Sequence, residues 1–229
     1  IGIGESRIEE LLAELSGTEN PTLAPYAHTG EVHLRLTARA ETVGAAEALI
    51  EPVDARIRTL LGDAVFGTDT TTLEEAIQKD LAARGETVSV AESMTGGGLM
   101  ARMSNAPGSS ATFRGGVVVY AVDAKVRLLA LDRHRLEEEG PVSEWAALSL
   151  SRSVREKLGT THGIGIVGNA GPTSDVDGKP VGLVYVAHSG PGGDRCESNT
   201  FRGTRDDIRR RAEQTALTLL RRAVRRPGY

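Results

Sequence analysis

The sequence has little of what marks secreted, membrane-spanning or nucleic-acid-binding proteins. Its one cysteine, Cys196, cannot form an intramolecular disulfide, which favours a reducing cytoplasm. No apolar run approaches the length of a membrane span, and the chain does not open with a charged segment followed by an apolar one. A net charge of -4 gives no electrostatic reason for the whole chain to bind nucleic acid. What remains is a cytoplasmic globular protein with an ordinary hydrophobic content of 39%.

Histidine chemistry is also poorly represented. The five histidines show neither metal-ligand spacing nor a recognisable triad partner, so neither a metal site nor a Ser-His-Asp triad is predicted. They are His28, His33, His134, His162 and His188. Candidate chemistry therefore has to come from other residue types.

Two differently organised regions flank "GTDTTT", residues 67–72, which holds no apolar residue and reads as a domain boundary. Residues 1–72 contain a helix, an alternating strand in "EVHLRLTA" and a second helix that includes Pro52, which predicts a small α+β domain. Residues 73–229 alternate helices with apolar strands. This alternation predicts an α/β domain around one sheet, with functional sites where strands pass into loops.

Helix ends in the second region carry recognisable signals. Ser143 is a natural N-cap for a long helix that Gly159 ends, and the last helix opens with a pattern like a capping box at Thr204–Asp207. The arginines of that helix are predicted to form a solvated face. Its inward-facing side chains are predicted to be Leu217, Leu220 and Val224.

The stretch "SVAESMTGGGLM", residues 89–100, passes from an apolar strand through three glycines into a predicted helix. Ser93 and Thr95 therefore lie close to a helix N-terminus, where backbone N–H groups lack partners and negative charge is favoured. N–H groups around Thr95, Gly96 and Gly97 would serve either to cradle a phosphate or to hold an oxyanion beside a nucleophilic serine. The alternative is that Ser93 and Thr95 only cap the helix while the glycines permit close packing.

A serine nucleophile requires a base, and the candidate is a lysine. "VVVYAVDAKVRLL" places Tyr120 at a strand end and Lys125 in the first turn of the next helix. A desolvated lysine near a helix N-terminus is pushed towards the neutral amine, which can take a proton from a serine. A solvated lysine is the alternative, and the apolar turn that Lys125 opens speaks against it.

A third candidate segment is "GIVGNAGPTSDVDGKPVG", residues 165–182, which leaves a buried strand and re-enters another. A connection of this length between core strands is often functional, although a plain surface loop has the same composition. Its candidate substrate-binding residues are Gly168, Asn169 and Gly171.

Three segments together resemble the CinA C-terminal domain over about residues 73–225. They are "VAESMTGGGLMARMSNAPGSSATFRGGVVVYAVDAKVRLL", "GPVSEWAALSLSRSVREKLG" and "GNAGPTSDVDGKPVGLVYVA". The region at 1–72 resembles the KH-type linker domain of full-length CinA. In this comparison "IGIGESRIEELL" looks like the join to the family's N-terminal molybdopterin-binding-like domain, which this chain is then expected to lack.

The resemblance implies a deamidase that converts nicotinamide mononucleotide to nicotinic acid mononucleotide and ammonia, without a metal or cofactor. It also implies a homodimer. In the mechanism that the residues suggest, Ser93 attacks the carboxamide carbon after Lys125 takes its proton, and Lys125 then protonates the departing ammonia. Tyr120 matches the family's tyrosine and is expected to position the lysine or the substrate.

The chain departs from the family's pattern at two places. It has Ala121-Val122 where the family usually has a Ser-Asn pair, and Val167 where the family usually has a threonine. These departures favour a second hypothesis, a scaffold or adaptor that binds without turnover. A third hypothesis, a nucleic-acid-binding module, is disfavoured because residues 1–72 lack a GXXG loop with basic flanks.

Overall fold

The computed structural model describes residues 1–173 and 178–226. By its contacts the chain divides into two compact units, Ile1–Thr70 and Thr71–Tyr229. The division falls two residues before the sequence-based boundary at 72/73. The middle of the predicted functional loop, residues 174–177, lies outside the described residues.

The first unit is a small α+β fold. Its elements are α1 (Glu5–Leu11), β1 (Thr22–His28), β2 (Glu31–Thr37) and α2 (Val43–Leu61). β1 and β2 form an antiparallel pair, and the helices bury an apolar cluster around Ile8, Leu12, Ile57 and Leu61.

Pro52 lies inside α2, which begins nine residues earlier at Val43, behind a Thr42 cap that accepts from the Ala45 N–H. β1 was not predicted from the sequence. Its apolar residues do not alternate, and Pro25 stands in its middle, where it reads as a strand breaker.

The second unit alternates helices and strands as predicted. Its elements are α3 (Leu73–Arg84), β3 (Val88–Glu92), α4 (Gly98–Asn105), β4 (Phe113–Val118), α5 (Val122–Leu129), α6 (Arg133–Glu139), α7 (Glu144–Leu158), β5 (His162–Gly168), β6 (Leu183–Ser189), β7 (Arg195–Thr200) and α8 (Arg205–Arg225). None of the helices within the described ranges is long and apolar enough to cross a membrane.

These strands form one five-stranded sheet in the order β4-β3-β5-β6-β7. β3 runs parallel to both neighbours, while β6 is antiparallel to β5 and to β7. The α/β class predicted from the sequence is therefore confirmed. Because β3 and β4 are parallel, the segments that follow them leave the same edge of the sheet.

Helices cover both faces of this sheet. α7 packs so closely on β5 that a Cβ added at Gly163 would lie 2.0 Å from the Ser151 carbonyl oxygen. Neighbouring strand residues point to opposite faces, so Ile164 and Ile166 are turned away from α7, towards the side on which α8 packs. Every residue of β3 is buried, which shields the main chain that leads into the candidate site.

The predicted helix ends are confirmed. The Ser143 side chain caps α7 by accepting from the Ala146 N–H, and Gly159 ends it in the left-handed conformation with φ 61°. Thr204 and Asp207 form the capping box of α8. α6 was not predicted, because its charged sequence "RHRLEEE" contains a single apolar residue and therefore shows no apolar periodicity.

Candidate active site

Ser93 is the first residue after β3 and is held by the neighbouring strand. Its N–H donates to the Ile166 carbonyl at 3.0 Å, and its own carbonyl accepts from the Gly96 N–H at 3.1 Å. The side chain is buried, with 8% of the residue exposed. This turn fixes the direction in which the Ser93 hydroxyl leaves the sheet.

Lys125 lies in α5, which follows the parallel strand β4, and it is 2% exposed. Its Nζ lies 3.1 Å from Ser93 Oγ, 2.9 Å from the Val119 carbonyl oxygen and 3.2 Å from the Tyr120 carbonyl oxygen. The predicted contact between Ser93 and Lys125 is confirmed, although 32 positions separate them in sequence. In the neutral form the amine could donate to these two carbonyls and keep its lone pair for the Ser93 hydroxyl.

Glu92 is the last residue of β3, and its side chain reaches the N-terminus of α4. Its carboxylate is fully buried. Oε2 accepts from the N–H groups of Gly97 at 3.0 Å and Leu99 at 3.2 Å, and Oε1 accepts from the Met100 N–H at 2.7 Å. The positive end of this helix is therefore already matched by a carboxylate of the same chain.

This arrangement corrects the predicted role of the glycines. The Gly97 N–H is bound to Glu92, and the Gly96 N–H is bound to the Ser93 carbonyl, so the prediction that they cradle an anion is wrong. Their φ values of 64° and 98° instead supply the left-handed turn between Ser93 and the helix. The alternative that Ser93 and Thr95 cap α4 is also wrong, since Gly97 stands at the N-cap and Glu92 accepts from the first turn.

Thr95 retains unused polar groups in this turn. The residue is fully buried, and its Oγ1 has no hydrogen-bond partner within the described part of the chain. Across residues 1–173 and 178–226, the N–H groups of Met94 and Thr95 likewise have no acceptor. Buried polar groups are normally paired, so these donors beside Ser93 are suited to an external acceptor.

Two arginines of α8 reach the same loops, and neither was predicted from the sequence to belong to the site. Arg205 donates from Nη1 to the Gly171 carbonyl at 2.7 Å and from Nη2 to the Tyr120 hydroxyl at 2.9 Å. Arg209 donates from Nη2 to the Thr95 carbonyl at 2.6 Å. The position of Arg205 could have indicated a role in the site. A cation in the first turn of a helix interacts unfavourably with the helix dipole, so its presence there suggests another function.

The prediction that the arginines of α8 form a solvated face is thus incomplete. Arg209 contacts the serine loop, and Arg221 is only 4% exposed and lies 3.6 Å from Asp80. The inward-facing set is confirmed. Its members Leu217, Leu220 and Val224 are all buried.

The loop that follows β5 is held by Asn169. Its Oδ1 accepts from the Gly171 N–H at 2.8 Å, and its Nδ2 donates to the carbonyls of Thr173 at 3.2 Å and Lys179 at 3.1 Å. Asn169 therefore keeps the two sides of the loop together. Gly168 is the last residue of β5 and lies opposite Val184 of β6 in the strand register, so it stands where the strand passes into this loop.

The departures from the family pattern lie around the dyad without breaking it. Val167 is fully buried in an apolar cluster with Ala91, Leu150 and Ala187, where a threonine would bring a hydroxyl. Ala121 is the N-cap of α5 and makes no side-chain cap. The family's serine at this position would offer a capping oxygen to the helix that carries the lysine.

A second polar cluster lies at the opposite end of the sheet. His162 Nδ1 is 2.9 Å from His188 Nε2, and His162 Nε2 is 3.0 Å from Glu86 Oε2. Among the described residues, no group of three or more His, Cys, Asp or Glu side chains is arranged to hold a metal ion.

Comparison with known proteins identifies both units. Residues 70–224 match the CinA C-terminal domain, and residues 1–67 match the KH domain of the damage-inducible protein CinA. A competence-damage inducible protein of Moorella thermoacetica is 47% identical over 224 residues, which cover 98% of this chain and 54% of that protein. A CinA-like protein of Gloeobacter violaceus is 44% identical over 226 residues, covering 97% of this chain and 53% of that one.

Solved structures agree with this assignment. A CinA superfamily protein from Klebsiella pneumoniae superposes with a TM-score of 0.66 at 28% identity, covering 69% of this chain and 99% of its own. The present chain spans about half the length of the curated relatives named above. Its two matched regions follow one another in a single chain, and on this evidence the protein belongs to the CinA family.

Proposed function

We propose that this protein hydrolyses the carboxamide of nicotinamide mononucleotide, releasing ammonia and nicotinic acid mononucleotide. The observation that carries the proposal is the buried contact of 3.1 Å between Lys125 Nζ and Ser93 Oγ. A serine next to a desolvated amine is an arrangement for acyl transfer, because the amine can remove the hydroxyl proton during attack. The resemblance to the CinA C-terminal domain supplies the substrate.

In the first half of the reaction, Lys125 takes the Ser93 proton as Oγ bonds to the carboxamide carbon. The negative charge that develops on the carboxamide oxygen needs donors nearby. The N–H groups of Met94 and Thr95 and the Thr95 hydroxyl support this step, since they stand beside Ser93 without an acceptor in the described chain. The carbon–nitrogen bond then breaks, and the proton held by Lys125 leaves with the ammonia.

In the second half, water attacks the acyl ester on Ser93. Lys125 accepts a proton from that water and returns a proton to Oγ as the ester bond breaks. Nicotinic acid mononucleotide and the original serine result. The two carbonyls that accept from Lys125 Nζ, those of Val119 and Tyr120, hold the nitrogen in place through both halves.

Ser93→Ala tests the proposal. We expect ammonia release from nicotinamide mononucleotide to fall by at least about 1,000-fold, because removal of the nucleophile of such a dyad leaves only binding effects. Lys125→Met, which keeps the side-chain length without the amine, should cause a comparable loss. Thermal unfolding of both variants controls for misfolding.

A second candidate function is binding without turnover, and Val167 and the uncapped Ala121 favour it. It predicts that the wild-type protein binds nicotinamide mononucleotide in calorimetry but releases no ammonia. Turnover that is present in the wild type and persists in Ser93→Ala would contradict the proposed mechanism. Turnover that disappears in Ser93→Ala would exclude the binding-only alternative.

A further inference from the structure

We infer that Arg205 and Arg209 form a phosphate subsite that selects a nucleotide over the corresponding nucleoside. The inference rests on the proposed function, because it names the part of the substrate that these side chains recognise. The two residues stand four positions apart in α8, so they lie on the same face of the helix. Both guanidinium groups contact loops of the candidate active site.

The helix that follows the serine is not available to an anion. The three N–H groups at the start of α4 that would bind a phosphate already donate to the buried Glu92 carboxylate. A phosphate brought there would meet that negative charge at close range and find no donor. The anionic end of the substrate therefore requires cations from another element.

Arg209 reaches the site from the side of the serine. Its Nη2 donates to the carbonyl of Thr95, two residues after Ser93, and would lie 3.4 Å from a Cβ added at Gly96. Its Nε is buried with no hydrogen-bond partner within the described residues, and its ion pair with Asp206 is long, at 4.0 Å. The guanidinium thus keeps unused N–H donors next to the serine loop.

Arg205 reaches the site from the side of the lysine. It bridges the Tyr120 hydroxyl and the Gly171 carbonyl, and the Tyr120 carbonyl in turn accepts from Lys125. Of the five N–H donors of a guanidinium, these contacts use two. Arg205 is exposed, so its remaining donors are accessible to a ligand from solvent.

The chemistry of the pair fits a phosphomonoester. A guanidinium presents N–H groups in a planar fork that binds phosphate oxygens in a bidentate manner, and two such groups match a dianion. With the carboxamide at Ser93, the phosphate occupies the opposite end of the nucleotide. The start of α8 then recognises the phosphate end of the nucleotide.

Substrate selectivity tests this assignment. Ammonia release is measured with nicotinamide mononucleotide and with nicotinamide riboside for the wild type, Arg205→Gln and Arg209→Gln. Loss of one charged hydrogen-bonding group lowers kcat/KM for the nucleotide by about 10-fold to 100-fold. The preference for nucleotide over riboside falls by the same factor. Damage to the fold would lower both activities equally and leave that preference unchanged.

Arg211→Gln is the matched control. It removes the same charge from an exposed position on the same helix, where the side chain makes no contact with the described residues of the site loops. Its nucleotide preference should stay within about twofold of the wild type, since surface charge alone has a small and screened effect. A preference unchanged in both Arg205→Gln and Arg209→Gln overturns the inference, as does an equal loss in Arg211→Gln.

A binding measurement separates this inference from the proposed reaction. If the wild type releases ammonia from neither compound, the proposed function fails, and calorimetric titration with ribose 5-phosphate still tests the subsite. The subsite predicts that Kd for ribose 5-phosphate rises by about 10-fold or more in Arg205→Gln and Arg209→Gln. No binding to the wild type, or equal binding to all variants, contradicts it.

Discussion

At the residue scale, Glu92 connects the two halves of the candidate dyad. Its carboxylate accepts from the start of α4 and thereby holds the turn that carries Ser93. Its main-chain carbonyl accepts from the Val119 N–H at 2.7 Å, and the Val119 carbonyl accepts from Lys125 Nζ. One residue therefore positions both the serine and the lysine without touching either side chain.

We expect Glu92→Gln to lower the free energy of unfolding by about 1–3 kcal/mol, measured by denaturant titration. A glutamine has one acceptor oxygen where the carboxylate uses two, and its amide group would face backbone N–H donors. Glu137→Gln, on an exposed position of α6, is the control and should change stability by less than about 0.5 kcal/mol. Equal stabilities of the Glu92 and Glu137 variants would show that the buried carboxylate does not hold the turn.

The residue-level predictions from sequence succeeded where the main chain alone decides the geometry. Ser93 and Lys125 each follow one of two parallel strands, and parallel strands bring the residues after them to one edge. The hydrogen bonds that join Glu92 to the start of α4 and Arg209 to Thr95 could not be predicted in this way. Such contacts join side chains to distant backbone groups, and no periodic pattern in the sequence reports them.

At the scale of elements, α5 is the helix near the site whose first-turn N–H groups are not capped by a side chain. Its N-cap, Ala121, has extended backbone angles suited to a capping residue but no side-chain oxygen. We expect Ala121→Ser to raise the free energy of unfolding by about 1 kcal/mol, because the serine oxygen can accept from the first turn. Thermal or denaturant unfolding measures the gain.

Ala124→Ser provides the comparison within the same helix. It introduces the same side chain inside α5, where a serine has lower helix propensity than alanine, so we expect a small loss of stability. If both substitutions destabilise the protein equally, the backbone at residue 121 does not act as the N-cap.

Helix boundaries were predicted best where a capping side chain marks the start of the helix. α7 and α8 begin at Ser143 and Thr204 as expected, since those side chains bind the first-turn N–H groups. β1 and α6 were missed, because β1 lacks alternation and α6 exposes almost all of its charged residues. Both elements depend on packing against other parts of the fold, which no local sequence pattern reveals.

At the scale of the whole molecule, the end of the sheet remote from the dyad is sensitive to acid. Burial, together with the smaller effect of the neighbouring His162, lowers the pKa of His188 to about 4 against the attraction of Asp194. Burial also lowers the pKa of His162, although its partner Glu86 opposes this. The folded state thus holds both imidazoles in the neutral form at pH values where an unfolded chain would protonate them.

We expect the free energy of unfolding to decrease as the pH falls from about 6.5 to about 4, by at most about 3 kcal/mol from His188. In this window the unfolded state binds a proton that the folded state excludes. Denaturant titrations between pH 7 and 4 measure the slope, which should be smaller in His188→Gln. His134→Gln, whose side chain is 81% exposed, should retain the wild-type slope. An unchanged slope in His188→Gln would rule out this residue as the source.

The parallel pairing of β3 with β4, in which Glu92 lies opposite Val118, has a consequence for how Ser93 and Lys125 are brought together. Paired strands keep a spacing of about 4.8 Å that is set by peptide groups rather than by side chains. The distance between Ser93 and Lys125 is therefore set largely by the strand ladder. The candidate dyad does not exist in the unfolded chain and can form only once the two strands are paired.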